Sequence, residues 1–314
     1  MIVRKNTRIM ITGARGFLGN HVVNSFKAKN YSNLVTLSSK DFDLRKENQV
    51  RKLFRVYPDV EVVVHLAGDV GGIQYSRSHP AKQFYNNLLI NTFMLHYSSI
   101  NKVEKFVGIG SVCEYPATAT IPYREDEIWN GYPVASNDAY GLSKRAMLAQ
   151  SISYNREFGF NAIHLLINNL YGPGDNFLET QAHVIPSLIM RFHNAMINEE
   201  KRVVVWGKEN VSREFVYVND IADSIVKATV KYNKVEPLNI GSASETTIKD
   251  VSMLIAKIVG FEGEIIFDDS KPSGQSRRKM DGTMAKKELN LSFRTKLNDG
   301  LKKTYSYYLN LLRK

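Results

Sequence analysis

Cysteine is nearly absent. The 314-residue chain carries one, Cys113, which excludes an intramolecular disulfide framework and a thiolate-built zinc site. Its seven histidines show no paired metal-ligand spacing, so no metal is expected. No apolar run approaches the roughly 18 residues of a membrane span. The N-terminus, Met1-Ile-Val-Arg-Lys-Asn-Thr-Arg8, has no apolar signal-peptide core. A soluble, cytoplasmic protein with no membrane partner is the expectation. Repeats, low-complexity tracts and Ser/Gly linkers are missing too, which argues against fibrous or disordered classes. Acidic residues are in deficit, 31 against 42 basic ones, giving a net charge of +11. That balance fits an anionic partner: nucleic acid, a membrane surface or a small phosphorylated ligand. The basic residues that thicken toward the end, such as Lys271, Arg277, Lys286 and Lys302, lack an aromatic-rich RNA-binding signature, so nucleic acid is not expected.

What is present is enough for a sizeable core. With 43% hydrophobic residues the chain should form one large domain or two smaller ones. Arg8-Ile-Met-Ile-Thr12 reads as a buried strand and runs into Gly13-Ala-Arg-Gly16-Phe-Leu-Gly19, followed by a helical pattern through Val22, Val23 and Phe26. Strand, glycine turn and helix is the context that gives such a motif meaning. The first glycine permits the turn, the second lets backbone approach a pyrophosphate, and the third lets helix and strand pack closely. A helix N-terminus then faces the phosphates. Arg15, Phe17 and Leu18 belong to the same loop. A second strand, Asn33 to Leu37, ends in Ser38-Ser39-Lys40, where an acid for the ribose hydroxyl of NAD is missing. Lys40 with Arg15 suits a 2′-phosphate instead, so NADP is the expected cofactor, with Asp41 keeping NAD as a minority reading. Asp43 either touches the adenine or caps the helix through Val50, Leu53 and Phe54.

Glu61 to Leu66 is a buried parallel strand, and Leu66-Ala67-Gly68 with Val70-Gly71 would lie against the ligand. His65 reads as a satisfied core histidine. Pro80 to Ile100 is a long helix with a stripe at Phe84, Leu88, Phe93 and Leu95, fitting core or a subunit contact. The strand Phe106 to Gly110 delivers Ser111 and Cys113 to the sheet edge where ligands sit. Tyr140 and Lys144, four residues apart, share one face of the next helix. An ammonium beside a phenol favours the phenolate, which makes the pair a proton donor and acceptor if a cofactor is near. After the strand Asn161 to Ile167 the alternation stops. The following segments are a loop over 169–176, a helix from His183 to Ile197, strands Val203 to Trp206 and Arg213 to Val218, a strand Pro237 to Gly241, and helices Ile248 to Val259 and Asn298 to Leu312. The expected architecture is α/β, a doubly wound parallel sheet with a smaller α+β C-terminal lobe. Residues 1–170 and 214–242 would form the nucleotide-binding part, and 171–213 and 243–314 the substrate lobe.

Ser111, Tyr140 and Lys144 behind a glycine fingerprint resemble the extended short-chain dehydrogenases/reductases that act on nucleotide sugars. Val70-Gly-Gly-Ile73, Ser111-x-Cys113-x-Tyr-Pro116, Asn169-Leu-Tyr-Gly-Pro-x-Asp-Asn-Phe177, His183-Val-Ile-Pro186, Val205-Trp-Gly207, Arg213-Glu-Phe215 and Lys271-Pro-x-Gly274 occur in order along nearly the whole chain. Together they resemble the GDP-L-fucose synthase family of 3,5-epimerase-4-reductases. The resemblance implies Cys113 and His183 as the acid/base pair of epimerisation and Tyr140 as proton donor for the reduction. It implies Lys144, Asn169 and Leu170 at the cofactor. Val70, Gly71, Asn169, Val184, Arg191, Trp206, Arg213, Lys271 and Arg278 would meet a GDP-sugar. A homodimer, through the helices beginning near Pro80 and Tyr140, is implied as well. Two departures stand out: Asp69 where the family often has Lys, and Glu114 beside Cys113, where its charge would raise the thiol pKa. These leave open a C4 reductase on a related GDP-4-keto-sugar such as a heptose, or a 4-epimerase. A 4,6-dehydratase would need an Asp-Glu pair at Val112 and Cys113, and a cofactor-sensing regulator need not keep Tyr140 and Lys144.

Overall fold

A computed structural model gives the fold, and it describes residues 2–242, 244–270 and 275–313. Lys271, expected at the substrate, lies outside them. The first half of the chain alternates strand and helix: β1 (Ile9–Thr12), α1 (Phe17–Ala28), β2 (Leu34–Thr36), α2 (Glu47–Val56), β3 (Val62–His65), α3 (Ile73–Ser78), α4 (Pro80–Ile100), β4 (Lys105–Ser111), α5 (Asp138–Phe158) and β5 (Ala162–Ile167). The second half is less regular: β6 (Asn169–Tyr171), α6 (Val184–Ile197), β7 (Arg202–Trp206), β8 (Ser212–Arg213), β9 (Phe215–Tyr217), α7 (Val218–Lys231), β10 (Leu238–Ile240), β11 (Thr246–Thr247), α8 (Ile248–Val259), β12 (Glu264–Asp268), β13 (Arg277–Arg278), α9 (Thr283–Leu289) and α10 (Leu297–Leu312).

Six strands form one sheet in the order β10-β5-β4-β3-β1-β2, and each neighbouring pair is parallel. Strand order reverses between β1 and β3, the crevice where open α/β sheets take their ligands. Period-two alternation sorts the side chains into two layers. Ile9, Ile11, Val62 and Val64 pack with Val22 and Phe26 of α1 and Ile221 and Ile225 of α7. Met10, Val63 and Phe106 pack on the other face with Leu53 of α2, Leu95 of α4 and Met147 of α5. Buried on both faces, the strands tolerate only near-continuous apolar runs.

Lys105 is the exception at the start of β4. Fully buried, its ammonium donates to the carbonyls of Ala228 (3.3 Å), Thr229 (2.7 Å) and Tyr232 (2.5 Å) and to Asn233 Oδ1 (3.1 Å). It thereby satisfies the C-terminal carbonyls of α7. Burial pushes its pKa down to about 7.

Beyond the sheet, α6, α8 and α10 enclose their own cluster with Val203, Val205 and Tyr171. β12 pairs with β7, and β8 pairs with both β11 and β13. The span Arg213 to Val218, expected as one strand, is two: β8 ends at Arg213, β9 pairs with β6, and Val218 opens α7. Helix α7 is rich in β-branched residues, which hides it. Its buried positions Ile221, Ala222, Ile225, Val226 and Thr229 nevertheless follow the 3.6-residue period. Asp43 caps no helix. The N-cap position of α2 is Lys46, and Asp43 instead holds Arg45 through Nε–Oδ1 (2.8 Å) and Nη2–Oδ2 (3.0 Å), which lowers the Asp43 pKa. No helix among the described residues is long and apolar enough to cross a membrane.

Candidate functional site

The glycine loop closes tightly between β1 and α1. Gly13 has φ +64°, and a Cβ there would sit 2.8 Å from the Ala67 nitrogen. A Cβ on Gly19 would lie 2.0 Å from the Gly13 oxygen. Gly16 takes the N-cap position of α1 without a side-chain cap, leaving the helix N-terminus open to an anion. Leu18 packs on the sheet core and Phe17 sits edge-on to His21. Thr12 joins this loop to the end of β3, its hydroxyl accepting from the amides of Leu66 and Ala67 (3.1 Å each). Arg15 and Lys40 are both exposed and leave adjacent parallel strands, β1 and β2. Among the described residues no group of three or more His, Cys, Asp or Glu could hold a metal ion.

The loop after β3 is fixed by a polar face of α4 that sequence reasoning missed. Of the stripe expected at Phe84, Leu88, Phe93 and Leu95, Leu95 is fully buried in the core and the other three are only partly buried, while Gln83, Asn86, Asn87 and Asn91 are deeply buried. Asn87 accepts from the Asp69 amide (2.8 Å) and donates to its carbonyl (2.9 Å). The Asp69 carboxylate takes bonds from Tyr75 and Asn86 (2.7 Å each). The departure at Asp69 therefore orders its own loop. A spacing of amides at i, i+3, i+4 and i+8 was the available signal. His65 is the satisfied core histidine expected: Nδ1 meets Thr12 Oγ1 (2.9 Å), Nε2 meets Asn91 Oδ1 (3.2 Å), and burial lowers its pKa to about 3. Val70 is exposed, Gly71 lies against the Tyr75 ring, and the Gly72 amide donates to Gln181 O (3.0 Å), bringing the approach to His183 beside this loop.

Ser111 ends β4 and caps a short 3-10 turn, Val112–Glu114, its hydroxyl accepting from the Cys113 amide (3.2 Å). A Cβ on Gly141 would lie 2.2 Å from the Cys113 carbonyl, so α5 approaches this turn as closely as backbone permits. Cys113 Sγ accepts from Asn137 Nδ2 (2.7 Å) and from Arg278 Nη1 (3.7 Å). Tyr140 and Lys144 share the adjoining face, with Nζ 5.9 Å from the phenol ring centre. Lys144 also reaches the β3 loop: its Nζ would be 3.7 Å from a Cβ on Gly68. The expectation that the ammonium lowers the phenol pKa is corrected. Burial pushes Tyr140 well above its ordinary value, with Cys113 and Glu114 adding to the rise. Burial also pushes Lys144 down to about 8, opposed by Glu114. In this packed site desolvation is the largest influence on both groups. Glu114 is corrected as well: it turns away from the thiol into the interior, where its carboxylate meets His164 Nε2 (3.0 Å) and the Ser111 amide (2.7 Å).

The remaining expected residues come from the second lobe and the crossings to it. His183 occupies the N-cap position of α6 with an exposed side chain, and partial withdrawal from water lowers its pKa. Val184 is exposed beside it. Asn169 and Leu170 lie in β6 directly after β5, the Asn169 amide side chain donating to Glu214 O (3.2 Å). Trp206 is 41% exposed rather than core, and the Arg191 guanidinium stands 4.5 Å from its ring centre. Arg213 and Arg278 are both buried, and burial together with the Arg278 charge holds Arg213 down to about 10.

This geometry matches known proteins over nearly the whole chain. Residues 9–241 match the NAD dependent epimerase/dehydratase family. The chain belongs to that family. It is 35% identical to GDP-L-fucose synthase 1 of Arabidopsis thaliana over 97% of this chain and 94% of the relative. Among solved structures it superposes on a GDP-6-OMe-4-keto-L-xylo-heptose reductase from C. jejuni with TM-score 0.92 and 28% identity, covering 99% of this chain and all of that one. A GDP-mannoheptose C4 reductase from Campylobacter jejuni, solved with NADP bound, gives TM-score 0.88 and 30% identity over 98% and 99% of the two chains.

Proposed function

We propose that this protein is an NADPH-dependent enzyme converting GDP-4-keto-6-deoxy-D-mannose to GDP-L-fucose, with epimerisation at C3 and C5 and reduction at C4. The observation that carries the reading is the placement of the only cysteine, held by Asn137 and Arg278 on the turn that faces Tyr140. A 4-keto group acidifies the hydrogens on C3 and C5, and a thiol and an imidazole suit their removal and return. Cys113 and His183 take those roles. Tyr140, kept neutral by burial, gives its proton to the 4-oxygen, while Ser111 donates a second hydrogen bond as charge grows there. The Lys144 ammonium faces the same space.

The residues present fit NADP. Gly13 and Gly19 leave no room for a side chain, α1 presents its N-terminus to the phosphates, and Arg15 with Lys40 suits the 2′-phosphate where an acid is missing. Phe17, Leu18, Leu66, Ala67, Gly68, Asn169 and Leu170 line the rest, with Asp43 and its partner Arg45 at the adenine end. NADPH supplies the hydride for C4. Trp206 with Arg191 offers a platform for guanine, and an anionic diphosphate relieves the repulsion between Arg213 and Arg278. Val70, Gly71, Asn169 and Val184 border the sugar, and residues 171–213 and 243–314 act as the substrate lobe. The chain works in the cytoplasm as a homodimer joined through α4 and α5, with Phe84, Leu88 and Phe93 of α4 left partly bare.

Likeness to the heptose reductase favours a second reading, C4 reduction of a GDP-4-keto-heptose without epimerisation. Incubation with GDP-4-keto-6-deoxymannose and NADPH in D2O tests both. Loss of NADPH absorbance with deuterium at C3 and C5 is expected. No loss overturns the fucose reading, and oxidation without deuterium supports the reductase.

A further inference from the structure

We infer that Glu114 and His164 are positioning residues of the reducing site: the Glu114 carboxylate braces the turn that carries Ser111 and Cys113 and holds a fixed negative charge behind Lys144. The inference rests on the reading of Ser111, Tyr140 and Lys144 given above.

Both side chains are completely buried. One carboxylate oxygen accepts from the Ser111 amide at 2.7 Å, and both lie within 3.1 Å of His164 Nε2. His164 turns Nε2 to the carboxylate, while its Nδ1 has no hydrogen-bond partner. From the opposite side Arg145 Nε donates to the Glu114 carbonyl (3.0 Å), and its Nη1 to Gly131 O (2.8 Å). Helix α5 thus grips Glu114 through Arg145 and offers Lys144 to the site from the next position. The backbone makes room for this pair. A Cβ on Gly110 would fall 2.2 Å from His164 Nε2 and 2.4 Å from Glu114 Oε1, so the two side chains occupy space that only a glycine in β4 leaves.

A carboxylate confined there acts on every charge nearby through a low-dielectric path. The groups around Lys144 are Tyr140 and Arg145 on its own helix, Cys113 and Glu114 on the turn, and neutral His65 on β3, with His164 behind Glu114. Only Glu114 raises the Lys144 pKa against burial, which holds it at about 8. Removing that charge lets the ammonium titrate at lower pH.

Two substitutions separate bracing from charge. Glu114→Gln keeps an acceptor for the Ser111 amide and removes the charge; Glu114→Leu removes both. Hydrogen exchange of cofactor-free protein reads the brace, and NADPH affinity against pH, followed by fluorescence, reads the charge without turnover. Wild-type affinity should weaken as pH rises through about 8. Glu114→Gln should move that midpoint down by about one unit while the Ser111 amide stays protected. Glu114→Leu should speed exchange of that amide at least tenfold. An unmoved midpoint in Glu114→Gln, or unchanged Ser111 exchange in Glu114→Leu, overturns the inference. Both readouts are independent of substrate, so they stand or fall separately from the sugar reading.

Discussion

Replacing the three loop glycines one at a time by alanine should separate packing from ligand contact. In Gly19→Ala the new methyl lies 2.0 Å from the Gly13 oxygen and 2.8 Å from Ala14 Cα, where ordinary contact begins at 3.4 Å. Helix α1 must retreat from β1 by about 1 Å, yet its Val22 and Phe26 are locked in the sheet core, so a loss of about 1–3 kcal/mol is expected. Gly13→Ala adds a left-handed φ, worth about 1 kcal/mol, to a methyl 2.8 Å from the Ala67 nitrogen. Gly16→Ala is different: its methyl meets only the Gly13 oxygen at 3.2 Å, and a shift of a few tenths of an ångström absorbs it. Melting temperature should fall clearly for Gly19→Ala and Gly13→Ala and barely for Gly16→Ala. NADPH titration should show weakening in all three. Gly16→Ala should lose about tenfold or more, because its methyl takes the space a phosphate needs above the α1 N-terminus. Wild-type affinity in Gly16→Ala refutes the placement of the phosphates, and an unchanged melting temperature in Gly19→Ala refutes the packing argument.

Exchanging Lys40 and Arg15 together for Glu and Ala should weaken NADPH about tenfold while sparing NADH, read by parallel titrations. Cys113→Ser should stop deuterium uptake at C3 and C5 yet still reduce an already epimerised substrate; equal loss of both refutes the division of labour. Lys105→Met strands the carbonyls of Ala228, Thr229 and Tyr232 and should cost about 3 kcal/mol near neutral pH. Its folded pKa of about 7 lies below the unfolded value of 10.5, so the unfolded chain binds the extra proton between those limits. Wild-type stability should therefore gain on Lys105→Met by up to about 1.4 kcal/mol per pH unit from pH 7 toward 10, measured by urea unfolding.

The fold was readable where one rule governs a segment. The strands Ile9–Thr12 and Val62–His65 are apolar because both faces are covered, and Pro80 to Ile100 is a helix with the limits its pattern gives. Helix α7 escaped because its β-branched composition points to strand while its burial follows helical spacing. Periodicity rules also score apolar residues, so they could not see that the buried face of α4 toward its N-terminus carries amides that hold Asp69 and His65.

The site was legible as residue types and hidden as energetics. Tyr140 and Lys144 are adjacent as their spacing requires, but the expected effect of one charge on the other leaves out the desolvation of both groups. Burial reverses the sign for the phenol and pulls the lysine toward neutrality. Glu114 illustrates the same point from sequence: one residue from Cys113, it reads as a neighbour of the thiol, yet on its 3-10 turn it is aimed at His164. Sequence proximity sets which groups can interact, whereas the local backbone decides which do. A charge placed behind Lys144 then offsets the desolvation that the Tyr140 side of the site needs to keep its proton.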